Sequence, residues 1–270
     1  MANNNIKVIE GVYPVTVDEA VYISGTNKKI SDALDNYWMN KKAIILGDSF
    51  SDPSNSHPKW YNYLTSLLGI EILRNYSVGG YRMCPKKYEE DPNTGVADSY
   101  NHYDNISNYD YTGADVIIIC TAINDFFSNS PIDTVKGAEV SIYTPEKDRP
   151  NPDTFTGSYE LILSDIVGKA CTSTQKIPLI VLCTPTNSHV KGTYKNEAGY
   201  TTEDYSKNIH DIAYAWGCAV CDWNKGSGWN AKTTYSNLSN ILGVASDGCH
   251  PNEWGAERLG RMVANTIKMY

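Results

Sequence analysis

No stretch of this 270-residue sequence approaches the roughly 18 uninterrupted apolar residues of a membrane-spanning helix, so none is expected. Positive charge is short as well: 23 Lys and Arg stand against 31 Asp and Glu, for a net charge of −8 and a pI near 5.1. That balance argues against non-specific nucleic-acid binding and against an anionic membrane surface, because both need basic patches. The N-terminus, Met-Ala-Asn-Asn-Asn-Ile-Lys, lacks the apolar core of a signal peptide. The expectation is a protein not exported by that route, or a sequence that begins after its signal. Cytoplasmic, virion-associated and extracellular settings all stay open.

The seven Cys are an odd number and show no disulfide framework. Cys218-Ala219-Val220-Cys221 has CxxC spacing, but no second pair completes a zinc site, and it sits in a strand-like run. Cys120 and Cys183 lie in apolar runs and read as small buried residues. Phenylalanine is scarce, with 4 against 20 Tyr and 6 Trp. Amphipathic aromatics among Asn, Ser and Thr suit flat, polar ligands such as sugars. A compositional habit without function accounts for the bias equally well.

What is present is a core. Hydrophobic residues make up 41 % and charged residues 20 %, which excludes wholesale disorder. Residues 1–40 read as an arm or linker of short extended segments and one short helix. Residues 41–270 read as one domain with no internal repeat. There, strands and helices alternate: strands at 43–46, 70–76, 115–120, 177–183 and 219–223, helices at 59–68, 159–170, 203–216 and 256–269. That rhythm predicts an α/β fold, a three-layer α/β/α sandwich around a mostly parallel sheet of about five strands. Two polar stretches, near 81–112 and 127–156, lack periodicity. The second is broken by Pro131, Pro145, Pro150 and Pro152.

The domain opens with Ala43-Ile44-Ile45-Leu46-Gly47-Asp48-Ser49. A short branched run like this is a buried strand, and it delivers a hydroxyl to the strand's carboxyl end, where open α/β sheets bind ligands. Ser49 is therefore a candidate nucleophile. Ser and Asp are also favoured helix N-caps, and on this stretch alone both readings stand.

A serine nucleophile needs a base, a partner that orients the base, and donors for the oxyanion. In Asp247-Gly248-Cys249-His250-Pro251, Asp247 is close enough to turn toward His250 and leave one ring nitrogen free for Ser49. His57, His102, His189 and His210 lack such company and read as structural or solvent-facing. The Ser49 N–H, the Gly80 N–H and the Asn124 amide are the candidate oxyanion donors. Asp48, Tyr81, Asp125 and Phe126, beside these positions, are expected to contact substrate.

Taken in order, Gly47-Asp48-Ser49, Asn75…Gly80, Ala122-Ile123-Asn124-Asp125 and Asp247-x-x-His250-Pro251 resemble the four sequence blocks of the SGNH (GDSL-type) hydrolases. Thr154-Phe155-Thr156-Gly157-Ser158-Tyr159 resembles bacterial members of that family. The resemblance implies a flavodoxin-like fold and a metal-independent serine esterase without cofactor. In it Ser49 is the nucleophile, His250 the base and acid, and Asp247 the residue that orients His250. Ser49, Gly80 and Asn124 form the oxyanion hole. One departure stands out: Ala122 occupies a position where the family usually has Gly. The first 40 residues resemble the connecting arms of phage tail and appendage proteins and offer a route to a homo-oligomer; an ordinary N-terminal extension packed on the domain is the other reading, and the one their pattern favours slightly. The expected substrate is a small ester or an acetylated polysaccharide. A non-catalytic glycan-binding domain and a sugar O-acyltransferase are the alternatives.

Overall fold

The computed structural model describes residues 37–85, 100–138, 145, 148–174, 176–187, 194–229 and 243–270. The chain divides after Met39, and the second unit, Asn40–Tyr270, carries the sheet and its helices. The expected arm and its likeness to phage connectors fall almost wholly outside the described residues, as does His189.

Five strands form one parallel sheet: β1 (Lys42–Gly47), β2 (Glu71–Asn75), β3 (Val116–Cys120), β4 (Leu179–Cys183) and β5 (Ala219–Cys221). Their order is β2-β1-β3-β4-β5. β1 and β3 are apolar and branched because both faces of the sheet are covered; Ile44, Ile45, Leu46 and Ile117 to Ile119 are fully buried. The chain leaves β1 toward β2 on one side and returns to β3 on the other. The crevice at the carboxyl ends of β1 and β3 is thus the switch point where sheets of this order bind ligands. Gly47 and Cys120 pair at that edge. A Cβ on Gly47 would lie 2.8 Å from both Cys120 Sγ and Ser77 Oγ, so no side chain fits there.

The helices are α1 (Trp60–Leu68), α2 (Ile123–Phe127), α3 (Phe155–Thr174), α4 (Thr202–Trp216), α5 (Trp223–Gly226) and α6 (Glu253–Lys268). α1 packs on α6, and α3 packs on α4. These pairs cover the sheet as outer layers, which is the expected three-layer fold. α1 stops at Gly69 in the left-handed conformation.

Several bounds differ from the sequence reading for local reasons. α3 starts at Phe155 rather than 159, where the Thr154 hydroxyl accepts the Gly157 N–H at 3.0 Å. β5 stops at Cys221 because Asp222 caps α5, taking the Lys225 N–H at 3.0 Å. α6 starts at Glu253 because Asn252 caps it by accepting the Gly255 N–H.

Candidate active site

No helix begins at Ser49; the next one starts at Trp60. Asp48, not Ser49, does the capping here, and it caps a turn. Its Oδ1 accepts the Phe50 N–H at 3.0 Å, while its backbone carbonyl accepts the N–H groups of Ser51 and Asp52. The turn projects the Ser49 side chain beyond the end of β1. Asn55 holds it from below, donating from Nδ2 to the Ser49 carbonyl at 2.7 Å.

His250 Nε2 lies 2.8 Å from Ser49 Oγ, and His250 Nδ1 lies 2.7 Å from Asp247 Oδ2. The other carboxylate oxygen, Oδ1, accepts the N–H groups of Cys249 and His250 at 2.9 and 3.0 Å. Burial alone would raise the Asp247 carboxyl; these hydrogen bonds and the His250 ring outweigh it and hold it below its ordinary value. An ionised carboxylate keeps a proton on Nδ1 and leaves Nε2 free to accept one from Ser49. The loop is clamped at both ends. Val244 and Pro251 form an antiparallel bridge, and Gly255 packs so tightly on Gly243 that a Cβ would overlap the Gly243 carbonyl.

The opposite side of Ser49 is made of backbone. Tyr81 N–H closes a turn onto Val78 O at 3.0 Å, with Gly80 at φ +85°. Asp52 Oδ2 accepts the Gly79 N–H at 2.7 Å. Its Oδ1 takes the Ser54 N–H and hydroxyl. Burial opposes the Asp52 charge, but these donors and Lys59 hold its carboxyl low. The Ser49 and Gly80 N–H groups have no hydrogen-bond partner among the described residues. Asn124 Nδ2 donates to Tyr81 O at 2.9 Å, and the Thr121 hydroxyl donates to the same carbonyl at 3.1 Å. The candidate donors thus belong to one connected unit, although one Asn124 N–H is engaged with the turn itself.

Ala122 is not in the left-handed conformation that favours glycine; its φ is 176°.

Of the four expected substrate contacts, Asp48, Asp125 and Phe126 are buried. Asp48 is pushed up to about 7, by desolvation first and by the charge of Asp125, against the Phe50 N–H and the Thr121 hydroxyl. Asp125 accepts the Met83 and Cys84 N–H groups and the Ser130 hydroxyl, and burial pushes it up to about 6. Both acids hold backbone in place. Only Tyr81 keeps a half-exposed ring, edge-on to the exposed Tyr100 at 5.8 Å.

His102 is fully buried between Tyr109 Oη and the Gly47 carbonyl, and desolvation brings it down to about 4. His210 pairs with Asp222 at 3.1 Å. His57 departs from the sequence reading. Its ring stacks on His250 with centroids 4.0 Å apart and planes 10° apart, and its Nε2 is 3.9 Å from Asp247 Oδ2. No spacing rule points to it, since it reaches the site only through the turn after Ser49. His57, Asp247 and His250 each offer a metal-ligand atom within 4.8 Å of the others. Near-parallel rings run their in-plane lone pairs side by side, however, and do not converge them on one ion. Cys183 and Cys221 pair in register across β4 and β5 as free thiols, with Cys218 also free.

A family model for GDSL-like lipases and acylhydrolases matches residues 45–258, which include every residue of this cluster. The chain belongs to the GDSL-like lipase/acylhydrolase family. Solved structures share the SGNH fold at low identity. A Lactobacillus plantarum protein is 16 % identical, with a TM-score of 0.62 over 86 % of this chain and 98 % of its own. An acetyl xylan esterase is 17 % identical, with a TM-score of 0.53 over 84 % and 99 %. A catalytic mutant of an acetylxylan esterase from Geobacillus stearothermophilus is 15 % identical, with a TM-score of 0.54 over 85 % and 94 %. No curated protein sequence gives a significant match. Within this family frame, Ser49 and Asn124 follow the two strands that flank the switch point, and His250 arrives from the loop before α6.

Proposed function

We propose that this protein is a serine esterase that removes short acyl groups, acetyl foremost, from a carbohydrate. The observation that carries the reading is the unbroken line Asp247 Oδ2, His250, Ser49 Oγ, at 2.7 and 2.8 Å. In the reaction, Ser49 Oγ attacks the ester carbonyl as His250 Nε2 takes its proton. Asp247 stabilises the imidazolium that forms. The carbonyl oxygen becomes an oxyanion that the Ser49 and Gly80 N–H groups can receive, with the Asn124 amide as a third donor. Collapse breaks the bond to the alcohol, and His250 returns the proton to the leaving oxygen. Water then attacks the acyl-serine by the same route.

Two features support a small acyl group on a sugar. Solvent-facing aromatic rings follow both halves of the site in the chain, the half-exposed Tyr81 and exposed Tyr100 after Gly80 and the exposed Trp254 after His250. Two structures of the same fold are acetyl xylan esterases.

The test is turnover of aryl acetate, butyrate and octanoate esters, and of acetylated xylan, by the wild type and Ser49→Ala. The acetate should be turned over fastest, and Ser49→Ala should lose about 10³- to 10⁶-fold in kcat. Undiminished turnover by Ser49→Ala would overturn the reading. Acetyl transfer to an added sugar in preference to water would replace hydrolysis with acyl transfer.

A further inference from the structure

We propose that His57 is a positioning residue for the base: its imidazole, stacked on His250 beside Asp247, holds the His250 ring in line with Ser49 and switches the base off when it takes a proton. The inference rests on the reading of His250 as the general base.

The backbone geometry shows that His57 is held in place. Asn55 Oδ1 accepts the His57 N–H at 3.0 Å and also binds Lys59 Nζ, while Asn55 Nδ2 donates to Ser49 O at 2.7 Å. One side chain thus ties His57 to the backbone of the serine whose base it touches. Phe50 lies 5.5 Å from the His250 ring, tilted by 41°. His250 therefore meets the face of His57 at 4.0 Å, the Phe50 ring, and a 2.7 Å bond to Asp247. Without His57, the ring can rotate about the Asp247 bond and carry Nε2 away from Ser49 Oγ. Misplacement of that kind by an ångström can cost about 100-fold in rate.

The same contact makes the ring's charge matter. His250 becomes an imidazolium in each turnover, and a neutral His57 does not oppose it. A protonated His57 would repel it face to face and compete for the Asp247 Oδ2 that steadies it. The groups that act on His57 are Lys59 from its own segment and Asp247 and His250 from the facing loop. Burial, with the charges of His250 and Lys59, keeps His57 below the ordinary histidine value despite Asp247, so it is neutral at pH 7. In acid, two imidazoles rather than one must lose their protons before His250 can work.

The experiment compares wild type, His57→Ala and His57→Phe. The first measurement is kcat and KM for an aryl acetate between pH 4.5 and 8.5. The second is an NMR titration of the histidine ring protons, which needs no turnover. His57→Ala should lose about 10- to 100-fold in kcat with KM little changed. His57→Phe restores a flat ring and should recover most of that loss. In the wild type the acid limb of log kcat/KM should steepen toward a slope of 2; in both variants it should be 1. In the wild type the His57 ring should titrate below the ordinary histidine range, because burial and the charges of His250 and Lys59 oppose its proton. Equal kcat in wild type and His57→Ala, with the same acid slope, would overturn the proposal. A shared loss in both variants that falls on KM, or a His57 titration at or above the ordinary range, would do the same. Should Ala fail to fold, the Phe variant and the wild-type slope still decide. A depressed His57 titration in a protein that turns over no ester would leave the contact standing and sink the esterase reading alone.

Discussion

Ser49 stands between two half-sites built by different means. On the His250 side the work is done by side chains: Asp247, His250 and His57 touch one another, and the serine hydroxyl is already in line. On the Gly80 side it is done by backbone. Two N–H groups are left without partners among the described residues, and the Asn124 amide is engaged with Tyr81 O. In the proposed esterase the difference follows from what each half contributes. A proton relay must be in register before substrate arrives, so its members hold one another. An oxyanion site must keep donors unspent until charge develops, so its supports act on the groups next to the donors. Asp52 illustrates this by binding the Gly79 N–H and leaving the next one free.

Replacing Asp247 with Asn tests the side-chain half most severely. The variant loses the charge that fixes the His250 tautomer, and kcat should fall about 10⁴-fold. Steady-state kinetics on an aryl acetate measures it, and a loss under tenfold would mean that the relay is not in use. Asn124→Ala comes next. One oxyanion donor is worth about 10²- to 10³-fold in kcat. A loss confined to KM or to thermal stability would instead make Asn124 a brace for the Tyr81 turn. Asp52→Asn should be milder, on the order of tenfold in kcat, comparable to misplacing a donor rather than deleting it. Asn carries a single acceptor oxygen, so it cannot serve Ser54 and Gly79 together. Retained kcat in this variant would show that the Gly79–Gly80 turn stands without Asp52.

A last prediction concerns stability rather than rate, in the layer beneath both halves. Asp48 has its ordinary value of 3.8 unfolded and about 7 folded. Between those values the native state binds a proton that the unfolded chain has released. Stability from this group therefore falls as pH rises from about 4 to 7, by at most about 1.4 kcal/mol per pH unit. Asp48→Asn keeps an acceptor for the Phe50 N–H and removes the titration. Its Tm should gain on the wild type as pH rises from 5 to 8, read by thermal melts. A gap independent of pH would show that Asp48 stays neutral or stays charged throughout.

The fold was legible because its strands are short branched runs with helical spacing between them. Ile117, Ile118 and Ile119 mark a strand buried on both faces by residue type alone. The site was legible where chemistry sits in short blocks: Asp247 and His250 fall three apart, and their bond is local. His57, Asn55 and Asp52 were not legible, because their roles depend on how the turn after Ser49 folds back, and no periodicity records a turn's path. The burial of Asp48, Asp125 and Phe126 was not legible for a related reason. Adjacency in sequence to a functional residue says nothing about which side of the backbone a side chain takes, and at the end of a buried strand half of the neighbours point into the core.

The hydrogen bond between Ser49 and His250 joins residues 201 positions apart. A ribosome adding about 5–20 residues per second needs about 10–40 s to cover that distance. For that whole interval the emerging chain carries its serine without a base, and the hydroxyl is as unreactive as any other. In the proposed esterase the reactive pair therefore exists only once the loop before α6 has docked beside β1, so the serine gains its base at the last stage of folding rather than during synthesis.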